Sequence, residues 1–305
     1  MNKKIKIQEV VPRDGLQMEK KFIPTEEKVR LINELSKTGV KKIEVTSFVS
    51  PKAVPQLKDA RDVCQQIDKK EGVTYVALVP NIRGALRAIE TNIDEINLVM
   101  SVSESHNLKN VRKSTKDSLK EFQEIKNILQ GTGIQINGSL ATAFGCPFEG
   151  EQKEKRLFSF LQTYVETLNF DSITFADTTG MAHPKQVQTL MKKAVAMYPD
   201  IPITLHFHNT RGMGLANVLA GLEVGITRYD SALGGLGGCP FAPGATGNIC
   251  TEDLVHMLEA MGYDTEVDLD HLIKLAKQLP SLIGKDIPGQ IVKAGKISDL
   301  HPFNR

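Results

Sequence analysis

Short segments rich in β-branched and apolar residues alternate along this chain with longer segments of helical periodicity. The apolar segments predict eight strands, at residues 5–11, 42–48, 74–79, 95–102, 134–141, 172–176, 203–208 and 228–232. The periodic segments predict helices at residues 25–37, 56–67, 82–90, 116–129, 151–168, 184–197, 214–224 and 252–261. Eight strand–helix repeats favour a parallel sheet, and eight strands close a (β/α)8 TIM barrel.

The predicted barrel covers about residues 5–265, and a further helix at 268–283 lies in a C-terminal segment, 266–305. Strands that are apolar along most of their length are typical of a sheet buried on both faces. The alternative is an open doubly wound sheet, but no G-x-G-x-x-G sequence follows the first strand. We therefore predict an α/β protein with a single domain over residues 1–305.

Composition and charge limit the class of protein. Hydrophobic residues make up 41% of the chain, and a net charge of +2 gives no electrostatic reason to expect nucleic acid as a partner. No apolar run reaches the ~18 residues of a membrane helix, and the first residues lack the apolar core of a signal peptide. We expect a cytoplasmic protein. The four cysteines, at positions 64, 146, 239 and 250, lack the spacing of a zinc site.

Two histidines end the seventh predicted strand. Because alternate side chains of a strand share a face, His206 and His208 point the same way and can hold a metal ion or share a proton-transfer site. An isolated H-x-H is more often a solvated pair. In a barrel, however, active-site groups lie at the C-terminal ends of the strands, where Asp14 follows strand one and Asn248 lies in a glycine-rich loop after strand eight.

These three strands are neighbours in a closed barrel, so the four side chains should meet. One carboxylate, two imidazoles and an amide oxygen suit an octahedral divalent ion such as Mg²⁺ or Mn²⁺, although zinc or cobalt would also be accommodated.

Arg13, beside Asp14, would supply a fixed positive charge for an oxyanion or enolate. Its alternative role is a surface ion pair. Glu44, in the middle of a strand, is either functional or paired with Arg13 or Lys42.

Residues 11–17 (V-P-R-D-G-L-Q), 43–48, 206–208 and 234–240 together resemble the 3-hydroxy-3-methylglutaryl-CoA lyases, over roughly residues 5–285. The R-D-G and H-x-H pieces alone mark a wider metal-dependent superfamily that includes condensing synthases, aldolases and carboxyltransferases. The loop G-G-C-P-F-A-P-G-A-T-G-N at 237–248 is more specific for the lyases.

The resemblance implies cleavage of 3-hydroxy-3-methylglutaryl-CoA to acetoacetate and acetyl-CoA, with a divalent metal cofactor, an acyl-CoA partner and a homodimer. It also implies a place in leucine catabolism and ketone body formation. It assigns metal ligation to Asp14, His206, His208 and Asn248. It assigns catalysis to Arg13, Glu44, His206 and Cys239, and substrate contacts to Arg13, Gln17, Lys20 and Asp177.

Other functions are compatible with the same residues. A related lyase would act on another 3-hydroxyacyl-CoA, and a synthase or aldolase of the superfamily would form the bond instead of breaking it. A metallohydrolase is disfavoured because its H-x-H belongs to the first barrel strand. A metal-binding protein without catalysis is disfavoured by Arg13, Glu44 and Cys239 together.

Overall fold

The computed structural model describes residues 3–238 and 247–300. Eight parallel strands close into a barrel in the order β1-β10-β9-β8-β5-β4-β3-β2, which confirms the predicted (β/α)8 fold. A two-stranded antiparallel hairpin, β6–β7, lies outside the barrel. The strands are β1 (Lys6–Glu9), β2 (Lys42–Ser47), β3 (Thr74–Leu78), β4 (Glu95–Ser101), β5 (Gln135–Ala141), β6 (Gly145–Cys146), β7 (Gly150–Glu151), β8 (Ser172–Asp177), β9 (Ile203–Phe207) and β10 (Arg228–Ser231).

Helices surround the barrel and continue beyond it. They are α1 (Thr25–Lys37), α2 (Ala60–Gln66), α3 (Ile82–Ile89), α4 (Glu104–Val111), α5 (Thr115–Leu129), α6 (Glu154–Leu168), α7 (Pro184–Met197), α8 (Gly214–Glu223), α9 (Thr251–Ala260), α10 (Leu269–Ala276), α11 (Leu279–Ile283) and α12 (Ile291–Ala294). No helix in the described ranges is long and apolar enough to cross a membrane.

Several predicted boundaries are wrong, each for a local reason. The first strand ends at Glu9, because the chain from Val11 to Gly15 winds into a helical turn. The helix predicted at 56–67 is a short 3-10 turn followed by α2, and the one at 268–283 is divided into α10 and α11. Pro280 lies in the first turn of α11, where its missing N–H costs nothing, whereas inside a continuous helix it would remove a hydrogen bond. The pattern did not predict α4, α12 or the hairpin.

Polar side chains fill much of the barrel interior. Branched aliphatic residues usually form the interior layers of this fold. Here Asn97 of β4, Asn137 of β5 and Thr174 of β8 are all buried and connected by side-chain hydrogen bonds across the barrel. The intervening strand residues face the helices and are apolar, for example Ile96 and Ile173, both at most 1% exposed. The site therefore rests on a polar interior.

The strands that carry the predicted site are adjacent. β10 pairs with both β1 and β9, and Asp230 lies in register with Gln8 on one side and His206 on the other. Barrel closure thus brings the start of the chain beside residues more than 190 positions later. The apolar side chains of α10 and α11 belong to the same buried cluster as those of the strands.

Candidate metal centre and active site

A helical turn after β1 places Arg13 and Asp14 over the C-terminal mouth of the barrel. The backbone N–H groups of Arg13, Asp14 and Gly15 all donate to the carbonyl of Val10, at 3.2, 2.8 and 3.3 Å. A cavity of about 230 Å³ opens here, and both side chains line it together with those of His206 and His208. The site lies at the end of the barrel where the sequence placed it.

Asp14, His206 and His208 form a compact cluster of possible metal ligands. One donor atom from each residue lies within 4.8 Å of the others. The Nε2 atoms of His208 and His206 lie 3.6 and 4.0 Å from Asp14 Oδ2. All three residues are buried. A carboxylate and two imidazoles that converge from two distant segments can hold one divalent ion.

Asn248 lies beside this cluster. It forms an antiparallel bridge with His208, and its Nδ2 donates to Asp14 Oδ2 (2.7 Å) and to the Leu236 carbonyl (3.0 Å). Its buried Oδ1 has no hydrogen-bond partner among the described residues. Rotating the amide by half a turn would direct Oδ1 toward Asp14, so the residue fits the role of a fourth ligand. Gly237 leaves room for it, because a Cβ there would lie 2.5 Å from Nδ2.

The protonation states suit a cation. Burial would raise the pKa of Asp14, but Arg13 and the two histidines outweigh it and hold that pKa well below its usual range. Burial also lowers the pKa of His208, an effect that Asp14 offsets only in part. An ionised carboxylate and a neutral imidazole are the forms that bind metal.

His206 has a carboxylate behind it. Its Nδ1–H donates to Asp230 Oδ2 at 3.2 Å, which leaves Nε2 facing Asp14. Burial would lower the pKa of His206, but the Asp230 hydrogen bond and the charges of Asp230 and Asp14 raise it overall. A carboxylate in this position fixes the tautomer and orientation of the ring.

Arg13 is held by two carboxylates. Its Nε and Nη2 donate to Glu44 Oε2 at 2.6 and 2.5 Å, and its Nη1 donates to Asp14 Oδ1 at 2.6 Å. Burial would lower the pKa of Arg13, but the two carboxylates raise it overall. Arg13 is therefore the partner of Glu44, because Lys42 pairs instead with Glu95 at 2.6 Å. Arg13 is a fixed, fully charged group.

Two of the residues predicted to contact substrate, Gln17 and Lys20, differ in their position relative to the cavity. Gln17 lines the cavity and donates through Nε2 to Asp14 Oδ1 at 2.7 Å. Lys20 is exposed and does not line the cavity.

Asp177 is buried at the end of β8, where its Oδ1 accepts from the Met181 N–H at 2.7 Å, and burial raises its pKa to about 6. Ala176 and Thr178 on either side line the cavity, whereas Asp177 does not. Cys239 lies outside the described residues.

Two interior side chains beside the site were missed from the sequence. Asp230 orients His206, and Asn97 donates from Nδ2 to Glu44 Oε1 at 3.0 Å. Both lie at interior positions of strands whose alternate residues face the helices. Glu44 was predicted because it is a polar residue within a mostly apolar strand, and the same pattern is present at Asp230 and Asn97.

Comparison with known proteins agrees with this geometry. The sequence matches the HMGL-like family over residues 4–279. It is 45% identical over 296 residues to the hydroxymethylglutaryl-CoA lyase YngG of Bacillus subtilis, covering 97% of this chain and 99% of the relative. It is 37% identical over 303 residues to the (R)-citramalyl-CoA lyase of Chloroflexus aurantiacus, covering 96% and 95% of the two chains.

Among solved structures, an HMG-CoA lyase from Acinetobacter baumannii, in complex with coenzyme A and 3-methylmalate, superposes with a TM-score of 0.94. It is 52% identical in sequence, and the match covers 98% of each chain. The B. subtilis HMG-CoA lyase structure superposes with a TM-score of 0.92, covering 96% of this chain and 98% of the other. With its closed barrel, its site at the C-terminal mouth and these full-length likenesses, the chain belongs to the HMGL-like family.

Proposed function

We propose that this protein is a carbon–carbon lyase that cleaves 3-hydroxy-3-methylglutaryl-CoA to acetoacetate and acetyl-CoA. The observation that carries the proposal is the buried cluster of Asp14, His206 and His208 beside the clamped Arg13, in a chain similar to hydroxymethylglutaryl-CoA lyases along its whole length. Cleavage next to a tertiary alcohol needs a base for the hydroxyl proton and a positive group for the enolate, and this site offers both.

The metal-binding roles fall to Asp14, His206, His208 and Asn248. A divalent ion held there, with Mg²⁺ or Mn²⁺ as the expected species, would polarise the C3 hydroxyl and favour loss of its proton. Asp14 is central, because Gln17 donates to its Oδ1 and Asn248 donates to its Oδ2. Gln17 therefore orients the carboxylate from the cavity side. As a ligand, Asn248 would turn its Oδ1 toward the ion and give up its hydrogen bond to Asp14.

His206 has two proposed roles, and Nε2 can perform only one at a time. As a ligand it would bind the ion through Nε2, while as a base it would accept the C3 hydroxyl proton at the same atom. Asp230 supports either role, because a carboxylate on Nδ1 strengthens a metal ligand and also stabilises an imidazolium. A His206→Gln variant separates them, since loss of turnover at unchanged metal affinity would leave only the base.

Bond breakage moves the C2–C3 electron pair onto C2 and converts C3 into the ketone of acetoacetate. The thioester enolate that forms carries negative charge, which the Arg13 guanidinium would stabilise while Glu44 holds the guanidinium in place. An acid must then return one proton to C2. Cys239 is proposed for this step, since Gly238, the residue before it, lines the cavity.

An acyl-CoA substrate is supported by the complex of the A. baumannii relative with coenzyme A. A cytoplasmic location, a homodimer, and a role in leucine breakdown and ketone body formation remain predictions.

Two further candidate functions are a lyase for another 3-hydroxyacyl-CoA and a condensing enzyme. The first gains weight from the (R)-citramalyl-CoA lyase relative.

Incubation of the purified protein with a panel of acyl-CoA thioesters tests the proposal. The panel contains 3-hydroxy-3-methylglutaryl-CoA and (R)-citramalyl-CoA, each with Mg²⁺ or Mn²⁺, and products are identified by mass. We expect acetoacetate and acetyl-CoA in equal amounts from the first thioester, and little product from the second. Preferential cleavage of citramalyl-CoA, or no cleavage of either, would overturn the assignment. Incubation of acetyl-CoA with acetoacetate or a 2-oxoacid detects a condensing enzyme.

A further inference from the structure

A column of hydrogen-bonded side chains crosses the barrel beneath the candidate site. Ser172 Oγ donates to Asn137 Oδ1 at 2.7 Å, and Asn137 Nδ2 donates to Asn97 Oδ1 at 3.0 Å. Asn97 Nδ2 then donates to Glu44 Oε1 at 3.0 Å. The column thus runs from β8 through β5 and β4 to β2, and all of its members are at most 5% exposed.

The direction of the Asn97 amide is fixed by its neighbours. Its Oδ1 accepts from Asn137 Nδ2 and from Ser139 Oγ, the latter at 2.7 Å. With two donors on the oxygen, the amide nitrogen must point the other way, toward Glu44. A buried amide whose two ends have different partners cannot rotate without losing hydrogen bonds on both sides.

Glu44 in turn divides its oxygens between two partners. Oε1 accepts from Asn97, while Oε2 accepts from both Nε and Nη2 of Arg13. The carboxylate plane is therefore set from the barrel side by Asn97, and the plane of the guanidinium follows from the carboxylate. Both Arg13 bonds reach the same oxygen, Oε2. Without the Asn97 hydrogen bond to Oε1, the carboxylate could therefore rotate about that contact.

We propose that Asn97 is a positioning residue for the lyase reaction, acting through Glu44 on the guanidinium of Arg13. The Asn97 hydrogen bond to Glu44, together with the Asp14 carboxylate on Nη1, gives that guanidinium one orientation before substrate binds, so its charge needs no rearrangement when the enolate forms. This inference rests on the proposed function, because it assumes that Arg13 stabilises the enolate. Asn97 also lines the cavity, but we assign its role to the Glu44 hydrogen bond and not to a contact with the reacting atoms.

A double-mutant cycle tests this coupling. The variants are Asn97→Leu, Arg13→Gln and the double substitution, with Ser172→Ala as the matched control that removes a hydrogen bond of the same column without touching Glu44. We expect Asn97→Leu alone to lower kcat by about 10-fold or more, with KM changed less than about 3-fold. In the Arg13→Gln background the same change should cost less than about 2-fold, because the group it positions is gone. Ser172→Ala should stay near wild type, because Asn97 keeps its hydrogen bonds to Asn137, Ser139 and Glu44.

The outcomes are distinct. An equal loss of kcat in both backgrounds would overturn the inference, since Asn97 would then act independently of Arg13. A lower melting temperature with unchanged kcat would make Asn97 a purely structural residue. Failure of wild-type protein to cleave any thioester would instead refute the proposed function. Mn²⁺ affinity, measured by electron paramagnetic resonance, should be unchanged in Asn97→Leu, because the cluster of Asp14 and the histidines is not part of the column.

A second variant covers the case in which Asn97→Leu does not fold. Asn97→Asp has the same shape but offers Glu44 an acceptor in place of a donor. Two adjacent buried carboxylates tend to share one proton, which restores a donor as the pH falls. The kcat of Asn97→Asp relative to wild type should therefore rise toward acid pH. A constant ratio across pH, or loss of the fold in both variants, would contradict the positioning role.

Discussion

Arg13 combines a side chain that is only 11% exposed, full charge and two carboxylate partners, and this combination separates it from an ordinary surface arginine. The guanidinium forms three charge-assisted bonds, two to Glu44 and one to Asp14. Such bonds are strong and directional, so the group is held rigidly at the mouth of the barrel. The remaining N–H groups are those that can face a substrate in the cavity, which Arg13 lines.

Arg13→Gln should therefore impair the transition state more than substrate binding. We expect kcat to fall by about 10²-fold or more with a smaller change in KM, measured by steady-state kinetics with the thioester substrate. Arg83→Gln, at an exposed position on α3, is the control and should be silent. A large increase in KM at unchanged kcat would instead make Arg13 a simple anchor for the substrate carboxylate.

His208→Ala should weaken metal binding as well as turnover. The imidazole is buried, and its Nε2 lies 3.6 Å from Asp14 Oδ2. Removing one of the four proposed ligands should raise the Mn²⁺ dissociation constant by about 10-fold or more, comparable to the loss from altering an outer partner of a ligand. Calorimetric titration measures it, with His183→Asn, at an exposed position, as the control. An unchanged dissociation constant would remove His208 from the metal site.

Cys239→Ser tests the proposed acid of the last step. Serine is nearly the same size as cysteine but a far weaker acid, so the variant should fold, retain its metal and lose most of its kcat. Alkylation should inactivate the wild-type protein, and substrate should protect it. Cys64→Ser is the control, because Cys64 is buried on α2 away from the cavity. Turnover of Cys239→Ser near the wild-type rate would indicate that another group delivers the proton.

At the scale of elements, a buried carboxylate pair joins β1, the loop after β10 and the start of α9. Glu9 accepts from the N–H groups of Val11 and Leu233 and from the Thr251 hydroxyl. Glu252 accepts from the Gly234 N–H at 3.0 Å, while its Oε1 has no hydrogen-bond partner among the described residues. The pair thus supports the segment that leads into the glycine-rich loop.

This pair makes stability depend on pH in a defined direction. Burial raises the pKa of Glu252 to about 8 and that of Glu9 to about 7, from the ordinary value of 4.5. The folded protein therefore keeps protons that the unfolded chain releases. The resulting stability is fully present below pH 4.5 and is lost as pH rises through the folded-state values of about 7 and 8.

Glu252→Gln should remove part of this dependence, because an amide does not ionise. We expect its melting temperature to fall less than that of wild type between about pH 5 and pH 9, and to exceed wild type by several degrees at the alkaline end. Differential scanning calorimetry measures both curves, with the exposed Glu71→Gln as the control. Parallel curves for Glu252→Gln and wild type would show that Glu252 ionises normally in the folded protein.

The sequence could predict which side chains lie at the ends of the strands, but not which polar side chains pair with one another inside the barrel. The cluster of possible ligands was predictable because Asp14, His206 and His208 lie at or shortly after strand ends, and closing eight strands makes those strands neighbours. Asn97 and Asp230 were missed because a polar residue inside a strand can pair with several partners, and the choice depends on register across the barrel. Lys20 was assigned a substrate contact, but it is exposed and does not line the cavity.

At the scale of the whole molecule, the closed barrel is what makes a site from fragments. Asp14 and Asn248 are 234 positions apart, yet their side chains are joined by a hydrogen bond of 2.7 Å. The polar interior beneath them gives rigid support that an aliphatic core could not, because hydrogen bonds fix orientation as well as distance. The division of the chain into one domain over residues 1–305 stays a prediction.

We propose above all that carbon–carbon cleavage requires one divalent ion per chain, held by the cluster at the barrel mouth. Metal-free protein is titrated with Mn²⁺ while bound Mn²⁺, by electron paramagnetic resonance, and acetoacetate release from 3-hydroxy-3-methylglutaryl-CoA are followed in the same samples. We expect activity to rise in proportion to bound Mn²⁺ and to saturate at one ion per chain, and Asp14→Asn to abolish both. Full acetoacetate release by metal-free protein, or by Asp14→Asn without bound Mn²⁺, would contradict it.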